Sequence, residues 1–128
     1  MQTVAIDFDG VINSYVSGWS EEINDPPVVG IERALRDLSK DYKLVVFTTR
    51  ATSEDGKSRV RDWLTQWGLI GYISEITAIK PSAFCYIDDR AINFDGHSGA
   101  LAGKVRDFKT WQERPPLKNA PAKVANWR

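Results

Sequence analysis

Three short β-rich runs each end in acidic or hydroxyl residues, and this constrains the fold of the chain more than any other feature. TVAIDF at residues 3–8 runs into Asp9-Gly10, LVVFT at 44–48 into Thr49-Arg50, and FCYI at 84–87 into Asp88-Asp89. Helical patterns lie between them. Residues 30–40 carry Ile31, Leu35 and Leu38 on one face, with Arg33, Arg36 and Asp37 elsewhere. Residues 53–67 give the clearest helix. Ser53 can cap it, Glu54 and Asp55 suit the positive end of its dipole, and Gly68 can stop it. Val60, Trp63, Leu64 and Trp67 fall at i, i+3, i+4 and i+7, which predicts both tryptophans as core. Residues 72–77 read as a third strand, 84–87 as a fourth and 91–94 as a short fifth. Strands alternating with helices predict an α/β protein, a three-layer α/β/α Rossmann-like parallel sheet with right-handed crossovers.

The chain has 128 residues, which fits a single domain. We assign residues 1–110 to that domain and 111–128, with three prolines and few periodic apolar residues, to an extended C-terminal tail packed by Trp111 and Trp127. Residues 13–29 are irregular, and Pro26-Pro27 excludes a helix there. Lys and Arg number 17 against 17 Asp and Glu, so no global basic field draws the chain to nucleic acid or to an anionic membrane. The only cysteine, Cys85, excludes an intrachain disulfide and is expected to be a buried thiol in the fourth strand. With no N-terminal signal pattern and no apolar stretch near the roughly 18 residues of a membrane span, a cytoplasmic location is expected.

Parallel strands bring their C-terminal ends to one rim, where open α/β sheets bind ligands. Asp7 and Asp9 close the first strand, Thr48 and Thr49 the second, and Asp88 and Asp89 the fourth, with Lys80 just before it. Four carboxylates on one rim repel one another. A cation relieves that repulsion, and all-oxygen ligands favour Mg²⁺ over Zn²⁺. Asp7 and Asp9 are two apart and share a face if both are in a strand. One can attack a phosphorus atom, giving an aspartyl-phosphate, while the other moves protons. Lys80 and the metal would screen the phosphoryl charge, and the Thr48 hydroxyl could hold a phosphoryl oxygen.

The set IDFDGVI at 6–12, VVFTTR at 45–50, Lys80 and YIDDRA at 86–91 resembles the haloacid dehalogenase (HAD) superfamily of phosphohydrolases, with four motifs in order over about residues 3–95. More loosely, the chain is similar to small proteins common in bacteriophage and prophage genomes. The resemblance implies Asp7 as nucleophile and metal ligand. It implies Asp9 as acid/base, with its carbonyl on the metal, and Thr48 on the phosphoryl group. Lys80 would orient nucleophile and phosphate. Asp89 would bind Mg²⁺ directly, and Asp88 through water or as support. Thr49, Arg50 and Gly10 are candidate substrate-binding positions, although Arg50, like Arg90, could instead pair with a site carboxylate. The second aspartate of the first motif points to phosphate esters and not to carbon–halogen bonds.

Only about 20 residues separate Gly10 from the Gly30 helix, so no full cap domain fits. An open site of this kind accepts bulky or polymeric phosphates, or borrows a lid from another subunit of a homo-oligomer. The flap after the first motif carries Asn13, Tyr15 and Trp19. An aromatic there could stack on a base or sugar, or simply pack. A phosphorylated small molecule, a nucleotide or a nucleic-acid end is the expected substrate, and His97, beyond the motifs, is expected at the surface. Two other readings stand beside the phosphatase. A phosphoacceptor signalling domain also uses Asp, Thr and Lys at a parallel-sheet rim, but in a different order along the chain. A non-catalytic binding protein on the same fold would keep the residues without turnover.

Overall fold

The computed structural model describes residues 1–114, and the expected tail beyond them, Trp127 included, lies outside the described residues. Four strands form one parallel sheet in the order β3-β2-β1-β4. They are β1 (Gln2–Ile6), β2 (Tyr42–Phe47), β3 (Glu75–Thr77) and β4 (Cys85–Ile87). Helix α1 (Ile31–Ser39) links β1 to β2, and α2 (Glu54–Gln66) links β2 to β3. This is a small α/β protein with a Rossmann-like parallel sheet. Among the described residues no helix is long and apolar enough to cross a membrane.

The centre of the sheet explains the apolar runs. Val4, Ala5 and Ile6 of β1 and Leu44, Val45 and Val46 of β2 are all buried. Successive residues of a strand point to opposite faces, so both faces of these two strands are covered, as in central strands of parallel sheets. Pairing runs from Gln2 opposite Tyr42 to Ile6 opposite Val46, and Ile6 also faces Ile87 of β4. Leu35 of α1 and Val60, Trp63 and Leu64 of α2 complete the core with the buried sides of β1 and β2. The cap on α2 forms as its sequence demands, with the Ser53 hydroxyl accepting from Gly56 N–H at 3.0 Å.

Four expectations need correction. β1 ends at Ile6, so Asp7 and Asp9 lie in the loop beyond the strand and not on it. Residues 91–94 form no strand; the chain there is irregular, and a short helix, α3 (Leu101–Arg106), follows instead. Residues 70–72 form a 3₁₀ turn, which delays the third strand to Glu75. Cys85 is exposed. Among the described residues β4 pairs only with β1 and stands at the margin of the sheet, so its apolar run is not enclosed. Phe84, next to it, is 62% exposed although its ring stacks on Tyr42.

Residues 111–114 form a turn. The Trp111 indole N–H donates to the Gly10 carbonyl at 2.8 Å, and the Gln112 amide donates to the Ser14 carbonyl at 2.6 Å. The end of the described chain is thereby fastened to the loop that follows β1.

Candidate functional site

The loop after β1 is tightly wound around one carbonyl. Phe8 O accepts from the N–H groups of Val11, Ile12 and Asn13, and Gly10 N–H donates to Asn13 O at 2.8 Å. Phe8 is fully buried, its ring edge-on to Trp63 with centroids 5.0 Å apart. That anchor leaves Asp7 and Asp9, on either side of Phe8, lining a common cavity of about 330 Å³. The parallel register brings the other strand ends to the same place. Asp7 N–H donates to Ile87 O at 2.8 Å, directly before Asp88, and Thr48 N–H donates to Thr77 O at 2.9 Å. Thr48, Thr49, Asp88, Asp89 and Arg90 line the same cavity.

Asp7, Asp88 and Asp89 each offer a carboxylate oxygen, and these atoms lie within 4.8 Å of one another. Burial pushes the Asp7 carboxyl up from 3.8 to about 8, helped by its hydrogen bond with Asp89 and by the negative charge of Asp88. The Phe8 N–H, 2.8 Å from Asp7 Oδ1, opposes the shift without cancelling it. Three oxygen donors gathered this closely could hold a hard cation, and their geometry does not say which. Gly10 makes the close approach of these groups feasible. Its φ is +84°, and a Cβ built on it would lie 2.1 Å from Asp89 Oδ2, so only glycine lets that carboxylate reach the loop after β1.

The Asp9 carboxylate lies outside that acidic group. It accepts from Arg50 Nε at 2.7 Å and from Asn13 Nδ2 at 2.9 Å. The Arg50 side chain is only 4% exposed. It also donates from Nη1 to the Ser20 carbonyl at 2.9 Å and lies over the Trp19 ring, 4.3 Å from its centroid. Of the two roles left open for Arg50, the structure has it pairing with a site carboxylate. The Thr48 hydroxyl accepts from Arg50 N–H at 3.2 Å, which starts the 3₁₀ turn over Thr49–Thr52.

Lys80 does not join this group. It is exposed, its ammonium sits over the Tyr86 ring at 4.8 Å from the centroid, and it does not line the cavity. His97 is exposed and pairs with Asp95, as a surface residue does. Two supporting contacts escaped the sequence reading. Gly56 lies in the first turn of α2, and a Cβ there would meet Arg50 O at 2.0 Å. A glycine inside a helix costs about 1 kcal/mol relative to alanine, and that cost was the available signal. Trp111 reaches Gly10 from 101 positions away, and no local pattern announces such a contact.

No protein-family model, curated protein or solved structure matches the chain.

Proposed function

We propose that this chain is a Mg²⁺-dependent phosphatase of HAD type, built on the three-layer form of its α/β fold, that hydrolyses phosphate monoesters through an aspartyl-phosphate on Asp7. The convergence of Asp7, Asp88 and Asp89 within 4.8 Å, beside a cavity that also takes in Asp9 and Thr48, carries this reading.

In the reaction, the Asp7 carboxyl passes its proton to Asp9, and its freed carboxylate attacks phosphorus as the ester P–O bond breaks. Asp9 gives the departing alkoxide its proton. Water then attacks the aspartyl-phosphate and yields its proton to Asp9, which restores both groups. The Thr48 hydroxyl and nearby backbone N–H groups hold phosphoryl oxygens. Arg50 and Asn13 fix the Asp9 carboxylate from two sides, so that it does not swing during either proton transfer. Mg²⁺ bound by Asp7, Asp88 and Asp89 would offset the charge of the incoming phosphoryl group. Lys80, if it serves, must leave Tyr86 and turn inward once phosphate is bound.

The test is phosphate release from a panel of monoesters with Mg²⁺ and with EDTA, for wild type and Asp7→Asn. Hydrolysis that needs Mg²⁺ and is lost in Asp7→Asn is the expected result. No release from any ester, or undiminished release by Asp7→Asn, would end the proposal.

A further inference from the structure

The cavity has a wall that phosphoryl chemistry does not use. Tyr15, Trp19 and Phe47 line it together with the carboxylates. Trp19 is 65% exposed, a large apolar ring left at the rim of a polar site. It is nevertheless held in place. One face lies against the Arg50 guanidinium, which is itself fixed by Asp9 and by the Ser20 carbonyl next to Trp19. The flap beneath is tied down where Ser17 donates twice to the Asp25 carboxylate and Trp63 Nε1 donates to Asp25 O. Tyr15 sits at φ +59°, a backbone conformation uncommon for a non-glycine residue and found often at ligand sites. Its N–H donates to Asn13 Oδ1 at 3.3 Å, and its carbonyl accepts from Gly18 N–H at 3.1 Å. The ring of Trp19 therefore needs little further ordering to receive a ligand.

The open face of that ring favours a flat partner. A cation on one face draws on the negative π-cloud, which weakens attraction for a second cation or for the C–H groups of a sugar. A nucleobase, flat and electron-rich, is the complementary group. Trp19 and Thr49 also line a second cavity of about 220 Å³, with Arg50 beside them there, so the tryptophan stands between two hollows.

We infer that Trp19 is the stacking platform for the base of a nucleotide-type phosphate ester, either a mononucleotide or the phosphorylated end of an oligonucleotide whose next residue enters the second cavity. The inference rests on the phosphatase reading for the place of the phosphoryl group, and its test separates the two.

Ribose 5-phosphate, adenosine 5′-phosphate and a 5′-phosphorylated trinucleotide are titrated calorimetrically into the protein with Mg²⁺, and phosphate release is followed in parallel. KM is compared where phosphate is released, and the dissociation constant where it is not. The base-bearing esters should be favoured over ribose 5-phosphate by roughly 5- to 150-fold, the span expected from one stacked base. Trp19→Ala should bring the ratio close to one, and Trp19→Phe should keep most of it. Tighter binding of the trinucleotide than of the mononucleotide assigns the polymer end, and equal binding assigns the monomer. No base preference in wild type, or a preference that survives Trp19→Ala, overturns the inference. A tryptophan-dependent preference without phosphate release from any ester would leave the stacking site standing and remove the phosphatase. Release without preference does the reverse.

Discussion

Gly10 leaves open the space that the Asp89 carboxylate fills, because a Cβ at position 10 would lie 2.1 Å from Asp89 Oδ2. Gly10→Ala should therefore push Asp89 away from Asp7 and strain a backbone held at φ +84°. We expect a stability loss of about 1–2 kcal/mol in urea unfolding, from the left-handed backbone alone. On the phosphatase reading proposed above, the Mg²⁺ concentration that half-activates hydrolysis should rise sharply. Unchanged half-activation in a folded Gly10→Ala protein would show that Asp89 does not depend on this cradle.

The raised proton affinity of Asp7 has a stability consequence with a definite sign. Its carboxyl is held at about 8 in the folded chain against 3.8 as a free group, so the folded state binds the proton better than the unfolded state. That contribution is complete below about pH 4 and is lost as pH rises through about 8. Metal-free protein should show a melting temperature that falls from pH 5 to pH 9 by more than in Asp7→Asn, which has no proton to lose. Added Mg²⁺ should restore most of the loss at the alkaline end. Parallel pH profiles for the two proteins, both without metal, would contradict the assignment.

Arg50 joins Asp9 to the flap through one planar group, with the Asp9 carboxylate on Nε and the Ser20 carbonyl on Nη1. Arg50→Ala should cost about 3–5 kcal/mol in denaturant unfolding, because it leaves a half-buried carboxylate without its charged partner. Arg50→Lys should recover only part of that, since an ammonium lacks the two-sided fork and cannot lie flat on Trp19. Full recovery by lysine would mean that charge alone matters at this position.

Trp111 acts on the same loop from the far end of the described chain. Trp111→Phe keeps a ring but removes the N–H that Gly10 O accepts. The expected cost is about 1 kcal/mol by chemical unfolding, as for one hydrogen bond. A several-fold rise in half-activating Mg²⁺ should accompany it, since Gly10 seats Asp89. A stability loss with no change in metal response would make Trp111 purely structural.

Two helical glycines give a matched pair. A Cβ at Gly56 meets Arg50 O at 2.0 Å, whereas a Cβ at Gly103 in α3 meets nothing within 4 Å. Gly103→Ala should stabilise by about 0.5–1 kcal/mol through helix propensity. Gly56→Ala should destabilise despite the same propensity gain, and should disturb Asp9 through Arg50. Thermal melts of the two variants decide it, and equal behaviour would show that the turn after β2 yields freely.

The parts of this structure that were legible in the sequence are those fixed by local pattern. The Ser53 cap and the Val60–Trp63–Leu64–Trp67 spacing marked α2, because a cap and a 3.6-residue period are local signals. The meeting of Asp7, Thr48 and Asp88 followed from polar residues at the ends of apolar runs, since parallel strands align those ends. The environment of Cys85 was not legible. An apolar run looks alike in a central strand and in a marginal one, and only the strand order β3-β2-β1-β4 separates them. Residues 91–94 misled for a similar reason: alternating apolar residues make a strand only where a sheet edge receives them. The orientation of Lys80 was equally hidden, because Tyr86 lies six positions on and competes for its ammonium.

β4 spans three residues and, among the described residues, leans on β1 alone, yet Asp88 and Asp89 at its tip supply two of the three carboxylates of the acidic group. An ion gripped from both sides would thus rivet this margin of the sheet to its middle. Uptake of the ion and stiffening of that margin then become one linked equilibrium. Slower amide exchange along β4 on loading would be its signature, and any change that loosens the margin would be felt first as weaker grip on the ion.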